Sequence, residues 1–224
     1  FAGCYSADGY THDAQCVIYH GPDEAYTGRE ICFNANTDSI GVLDVTDKGS
    51  PQKIADKTYS NVAYTHQLWL TEDHQYMVVN DELDEYGAPA GKALPKTYIW
   101  DISDLDEPFL LDTYTGNVQS IDHNLYIHNG YIYQANYQSG LRVLDASDIG
   151  NGQLTEVAYF DTYPNGNEAH FNGAWSNYPF FESGVIIVSS IEQGLFVLEV
   201  SLPEVDDPIA SYLPLLINGD SSSE

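Results

Sequence analysis

Residues 121–148 read IDHNLYIHNGYIYQANYQSGLRVLDASD, and they are the cleanest copy of a unit that recurs along the chain. A tripeptide ending in His123 opens a short strand, His123 to His128. The pair Asn129-Gly130 reverses it, Tyr131 to Asn136 runs back, Gln138-Ser139-Gly140 turns again, and Leu141 to Asp145 ends in an Asp-rich corner. Asn-Gly between runs of alternating aromatic and aliphatic residues is a strong hairpin signal, because the tight turn that matches strand twist needs positive φ. The stretch therefore predicts a three-stranded meander with a fourth strand, TEVAYFDTY, to follow.

The same parts recur in the same order elsewhere. Phe1 to Ser6 reads as an outer strand, either of a preceding blade or closing the last one. Tyr10-Thr11-His12 opens a unit over 10–59, Tyr64-Thr65-His66 opens one over 64–114, and a fourth covers 168–201. Units about fifty residues apart, each holding about four short strands, predict an all-β fold, a β-propeller of about four four-stranded antiparallel blades. The second unit carries an insertion, EYGAPAGKALP. The tail from Leu202 to Glu224 reads as a possible edge strand, pairing with its own blade or with a second copy.

Hydrophobic residues make up 43% of the 224, and 18 Tyr stand against one Met. That balance suits half-buried pleated surfaces. A net charge of −27 disfavours nucleic acid and anionic lipid, and points to cations, neutral glycans or proteins as partners. No run approaches the ~18 apolar residues that cross a bilayer, so no direct membrane insertion is expected. Cys16 and Cys32 fall opposite one another on the first two strands of their unit, as a disulfide requires; three free thiols packed as small apolar groups are the alternative. Cys4 is left odd.

Read in this order, HDAQCVIYHGPDEAYTGREICFNAN, YTHQLWLTEDHQYMVVNDELDE, IDHNLYIHNGYIYQANYQSGLRVLD and FNGAWSNYPFFESGVIIVSSIEQGLFVLE resemble the choice-of-anchor B family of LVIVD-repeat proteins over roughly residues 1–200. The resemblance implies an extracellular or cell-surface propeller, with further blades usual upstream and no established reaction. It makes a binding or assembly module, partnered by protein, glycan or its own copies, the expected function.

In a propeller, the start of each innermost strand and the end of the second strand share one face. His12, His66 and His123 open innermost strands, and aligning Trp175 with Trp69 and Tyr126 places Asn172 fourth. Beside them come Asn34, Asn36, Asp81, Glu82, Gln134, Asn136 and Glu192. Imidazoles beside carboxylates and amides form either a divalent-metal or polar-ligand site, or a repeated turn cap. A metal-dependent enzyme on His12, His66 and His123 is the alternative function. The run Asp81, Glu82, Asp84, Glu85 has no counterpart in the other units, and its crowded oxygens suit calcium or another hard cation, with a solvated acidic loop as the alternative. The corners Asp44 to Asp47, Asp101 to Asp104 and Asp145 to Asp148 read as side-chain-bonded turns, with calcium binding as the alternative. No Gly-x-Ser-x-Gly, phosphate-binding glycine loop or His-Glu-x-x-His occurs.

Overall fold

The turn at Asn129-Gly130 forms as its sequence requires, with φ of 52° and 74° at the two residues. It joins β9 (Asn124–His128) to β10 (Tyr131–Ala135), and β11 (Leu141–Asp145) and β12 (Thr155–Phe160) complete an antiparallel sheet in the order β12-β11-β10-β9. The computed structural model describes residues 1–88 and 91–202. Within them the unit recurs as β1 (Asp13–Ile18), β2 (Glu30–Ala35), β3 (Ile40–Asp44) and β4 (Gln52–Lys57), and as β5 (Thr65–Leu70), β6 (Tyr76–Asp81), β7 (Lys96–Asp101) and β8 (Phe109–Thr115). The last sheet holds β13 (Ala174–Tyr178), β14 (Val185–Ser190) and β15 (Gly194–Glu199). The chain is an all-β propeller with its blades in sequence order.

Blade packing explains the nearly continuous apolar runs of the second strands. Val79 enters the core shared by the first two blades, with Phe33, Val42, Leu68 and Trp100, while its neighbour Val78 enters the next core, with Ile99, Leu125, Ile132 and Leu144. Ile132 and Tyr133 divide in the same way, Tyr133 joining Val143, Ile186 and Val188 in the third core. Successive side chains point to opposite faces, and in a middle blade both faces are covered. Each fully buried Val or Ile contributes about 1.5–3 kcal/mol. Turned away from this series of cores, Ile18 on the first blade and Leu195 and Val197 on the last are exposed.

The corners behave as expected. Asp44, Asp101 and Asp145 each accept from the amide two residues on, those of Thr46, Ser103 and Ser147, at 2.8–2.9 Å. Cys16 and Cys32 are cross-strand partners and are bonded to each other; Cys4 is free and exposed. One expectation fails. Phe1–Ser6 forms no strand, and the backbone at Gly3 instead lies against the Lys48 carbonyl. The N-terminal stretch reaches the first blade through side chains, Lys53 of β4 donating to Asp8 at 2.8 Å, and not through ladder hydrogen bonds, so extended propensity alone does not make it a strand. The expected tail strand falls on residues 203–224, outside the described residues.

Candidate metal centre

The inner strands bring three imidazoles into a row. His12 precedes β1, His66 lies at the start of β5 and His123 precedes β9; ring centroids are 4.2 Å apart for His12 and His66 and 4.3 Å for His66 and His123. His12 Nδ1 is 2.9 Å from the His66 carbonyl oxygen, and His123 Nδ1 is 2.5 Å from that of Trp175. A carbonyl only accepts, so Nδ1 of each ring carries the proton and Nε2 keeps its lone pair. His66 repeats the arrangement more loosely: the His123 backbone lies beside its ring, but Nδ1 makes no hydrogen bond of normal geometry.

Trp175, not Asn172, occupies the fourth place in this row. Its ring lies 4.6 Å from that of His123, and its carbonyl closes the series of backbone contacts. The alignment of Trp175 with Trp69 and Tyr126 is therefore corrected by three residues, and Tyr178 takes that place. Register shifts lie at the same place in the two strands, between Thr65 and Gln67 in β5 and between Ala174 and Ser176 in β13. His66 and Trp175 are the extra residues at these bulges, which re-aim a side chain without any sequence mark.

Glu82 completes the cluster from the loop after β6. Its Oε2 is 3.8 Å from His66 Nε2 and its Oε1 is 3.7 Å from His123 Nε2. Ligand atoms around a tetrahedral ion with bonds near 2.1 Å stand about 3.4 Å apart, so a small inward movement would place all three on one metal. His12 lies against His66 with its ring tilted by 42° and stays outside this trio. Burial lowers His66 to about 3, helped by the neighbouring imidazoles of His123 and His12, and lowers His123 to about 4 against the opposing bond to Trp175. Both rings are neutral near pH 7, the form that ligates. Burial raises the Glu82 carboxyl, opposed by a hydrogen bond from the Tyr137 hydroxyl at 2.7 Å.

The acidic run from Asp81 to Glu85 is divided among three tasks. Asp81 is fully buried and joins no metal cluster among the described residues: Oδ1 accepts from the amides of Tyr64 and Leu83, and Oδ2 from the amide of Ala63 and the hydroxyl of Tyr59. Those bonds use its lone pairs to fix the entry to the second blade. Glu82 turns to the histidines, whereas Asp84 and Glu85 turn inward toward Asp122.

The amides serve the framework. Buried Asn36 accepts from the Thr11 hydroxyl, and buried Asn136 donates to Gln134, which donates to Thr97. Asn34 is buried on β2. Asn172 donates to Glu192 at 2.7 Å, and Glu192 also accepts from the Gly173 amide, so this pair bridges the fourth blade apart from the histidines.

Sequence reasoning missed the aromatic wall. Tyr137 is buried at φ 38°, a conformation uncommon for a bulky side chain, and its ring is 4.8 Å from His123. Phe171 packs on Tyr137, Tyr86 stacks on Phe171 at 5.5 Å, and Trp175 is 48% exposed. On the other side Tyr64 stands 5.3 Å from His12. Tyr64 belongs to the repeated Tyr-Thr-His and Trp175 to β13, but nothing in the repeat marks Tyr137, Phe171 or Tyr86, which lie outside the strands.

No family model matches the chain, and no curated protein matches it in sequence. Among solved structures it is similar to a protein from Lactobacillus plantarum, with a TM-score of 0.60 and 20% identity over 78% of this chain and 52% of that one. It is also similar to the periplasmic gluconolactonase of Pseudomonas aeruginosa, with a TM-score of 0.57 and 19% identity over 78% of this chain and 51% of that one. These likenesses show the propeller fold. The chain spans about half the length of each of the two.

Proposed function

We propose that this chain is part of an extracellular or periplasmic β-propeller that holds a divalent transition metal at its channel mouth and uses it to bind a polar ligand. The observation that carries this reading is the trio His66, Glu82 and His123, with ligating atoms within 4.8 Å of one another. Two imidazoles and one carboxylate suit zinc or iron(II) and leave coordination positions open. The flanking Trp175, Phe171 and Tyr64 supply flat apolar surface of the kind that lines ligand sites. The disulfide and the resemblance to the choice-of-anchor B family support a location outside the reducing cytosol, with a surface protein or glycan as partner.

The test is calorimetric titration of the chelator-treated chain with zinc at neutral pH. One equivalent should bind, and His66→Ala and His123→Ala should each abolish binding while the fold is retained. Binding that survives both substitutions, or no binding at all, sinks the proposal.

A catalytic version is favoured by one observation, the Tyr137 hydroxyl held 2.7 Å from Glu82 at a strained backbone position. A hydroxyl and carboxylate so paired can pass a proton to a ligand beside the metal. A panel of lactones and esters assayed with the zinc-loaded chain decides this version: turnover lost in Tyr137→Phe supports it, and no turnover leaves a binding module.

A further inference from the structure

Three carboxylates meet in the interior between the second and third blades. Asp84 and Glu85 lie on the loop after β6, Asp122 lies just before β9, and each offers an oxygen within 4.8 Å of the others. Glu85 is 2% exposed and Asp122 is wholly buried. Lys96 Nζ, 2.7 Å from Asp84 Oδ2, and the Tyr98 hydroxyl, 2.6 Å from the same atom, both act on a single oxygen. Asn80 donates its amide nitrogen to Asp122 Oδ2.

The remaining oxygens face one another and have no donor of normal geometry. Asp84 Oδ1, both oxygens of Glu85 and Asp122 Oδ1 are buried without a hydrogen-bond partner, and so is Oδ1 of Asn80. Native proteins rarely leave one buried polar atom unpaired, and a group of them at one place points to an ion that supplies the missing contacts. Lys96 offsets one of the three charges. Burying the rest without a counterion is strongly unfavourable.

We propose that Asp84, Glu85 and Asp122, with Asn80 beside them, bind one calcium ion that fastens the loop after β6 to the start of the third blade. All donors are oxygen, which selects a hard cation over zinc. Magnesium keeps several of its waters, whereas calcium accepts an irregular shell of carboxylate and carbonyl oxygens, so this buried, carboxylate-dense position favours calcium. The centre is separate from the histidine trio and shares no ligand with it. It also accounts for the acidic run that the second blade alone carries. The fixed loop includes Glu82, so calcium holds in place a ligand of the channel-mouth centre.

The test uses the chain treated with EGTA and then exchanged into calcium, magnesium or sodium chloride of matched ionic strength. Elemental analysis after dialysis should find one calcium per chain. Melting temperature should rise by about 5–10 °C when free calcium is a hundredfold above its Kd, and less in magnesium. Glu85→Gln and Asp122→Asn should remove the calcium response and, by neutralising buried charge, leave the EGTA-treated protein at least as stable as the parent. His66→Ala should keep the full response, which separates this site from the channel-mouth metal. Equal shifts in calcium and sodium, or calcium still bound in both carboxylate variants, would overturn the assignment.

Discussion

The Tyr137 hydroxyl donates to Glu82 Oε1 at 2.7 Å, joining the turn after β10 in the third blade to the loop after β6 in the second. The same oxygen faces His123 Nε2 at 3.7 Å. Groups that orient a ligand in this way typically account for 10–100-fold in metal affinity. Tyr137→Phe is therefore expected to weaken zinc binding by about that factor with the apolar ring contacts kept, as read by calorimetry alongside a thermal melt. Unchanged affinity would show that Glu82 is held by its own loop.

Asp81 supplies a contrasting case on the same run. Four donors converge on its two oxygens, and an amide in its place must turn an NH2 group toward some of them. Asp81→Asn should cost about 2–3 kcal/mol in urea unfolding. The loss should be the same with and without calcium. A loss that disappears in EGTA would make Asp81 a cation ligand after all.

The disulfide fastens β1 to β2 at a directly opposed pair, closing a segment with a sequence separation of 16. Closing a loop of that size stabilises by about 3 kcal/mol. The variant carrying Cys16→Ala and Cys32→Ala should be destabilised by that amount in denaturant titration, and dithiothreitol should lower the melting temperature of the parent but leave the variant unaffected. A shift in the variant would point to effects unrelated to this bond.

His74 gives a pH dependence that lies outside both proposed metal centres. Its Nδ1 accepts from the His20 amide, its ring is 3.8 Å from that of His20, and burial, then the His20 imidazole, lowers it to about 4. The unfolded value is about 6.5, so between these limits the unfolded chain binds more protons than the folded one. Its contribution is complete above about pH 6.5 and is lost as pH falls toward 4. His74→Asn tolerates the positive φ of 54° at this turn and does not titrate. The stability of the parent relative to this variant should fall by about 2–3 kcal/mol between pH 7.5 and 4.5. A constant difference would contradict the depressed value.

The blades were legible in the sequence because their signals are local. Asn129-Gly130 fixes its own turn, Asp44, Asp101 and Asp145 bond amides two residues away, and Cys16 and Cys32 can be counted into register from one hairpin. His66, His123 and Glu82 could be nominated as neighbours on one face, since the propeller repeat returns those positions to the same rim. The tertiary structure alone decided which of the nominated groups meet. Extra residues in β5 and β13 turn His66 and Trp175 into one row, and no residue type marks a bulge. Asp81 and Asp84 belong to one acidic run, yet one is consumed by backbone amides and the other faces Asp122 from the next blade. Sequence carries the repeat because each blade forms its ladder from neighbouring strands; the sites arise where loops of different blades converge, and that distance is set by how the blades pack.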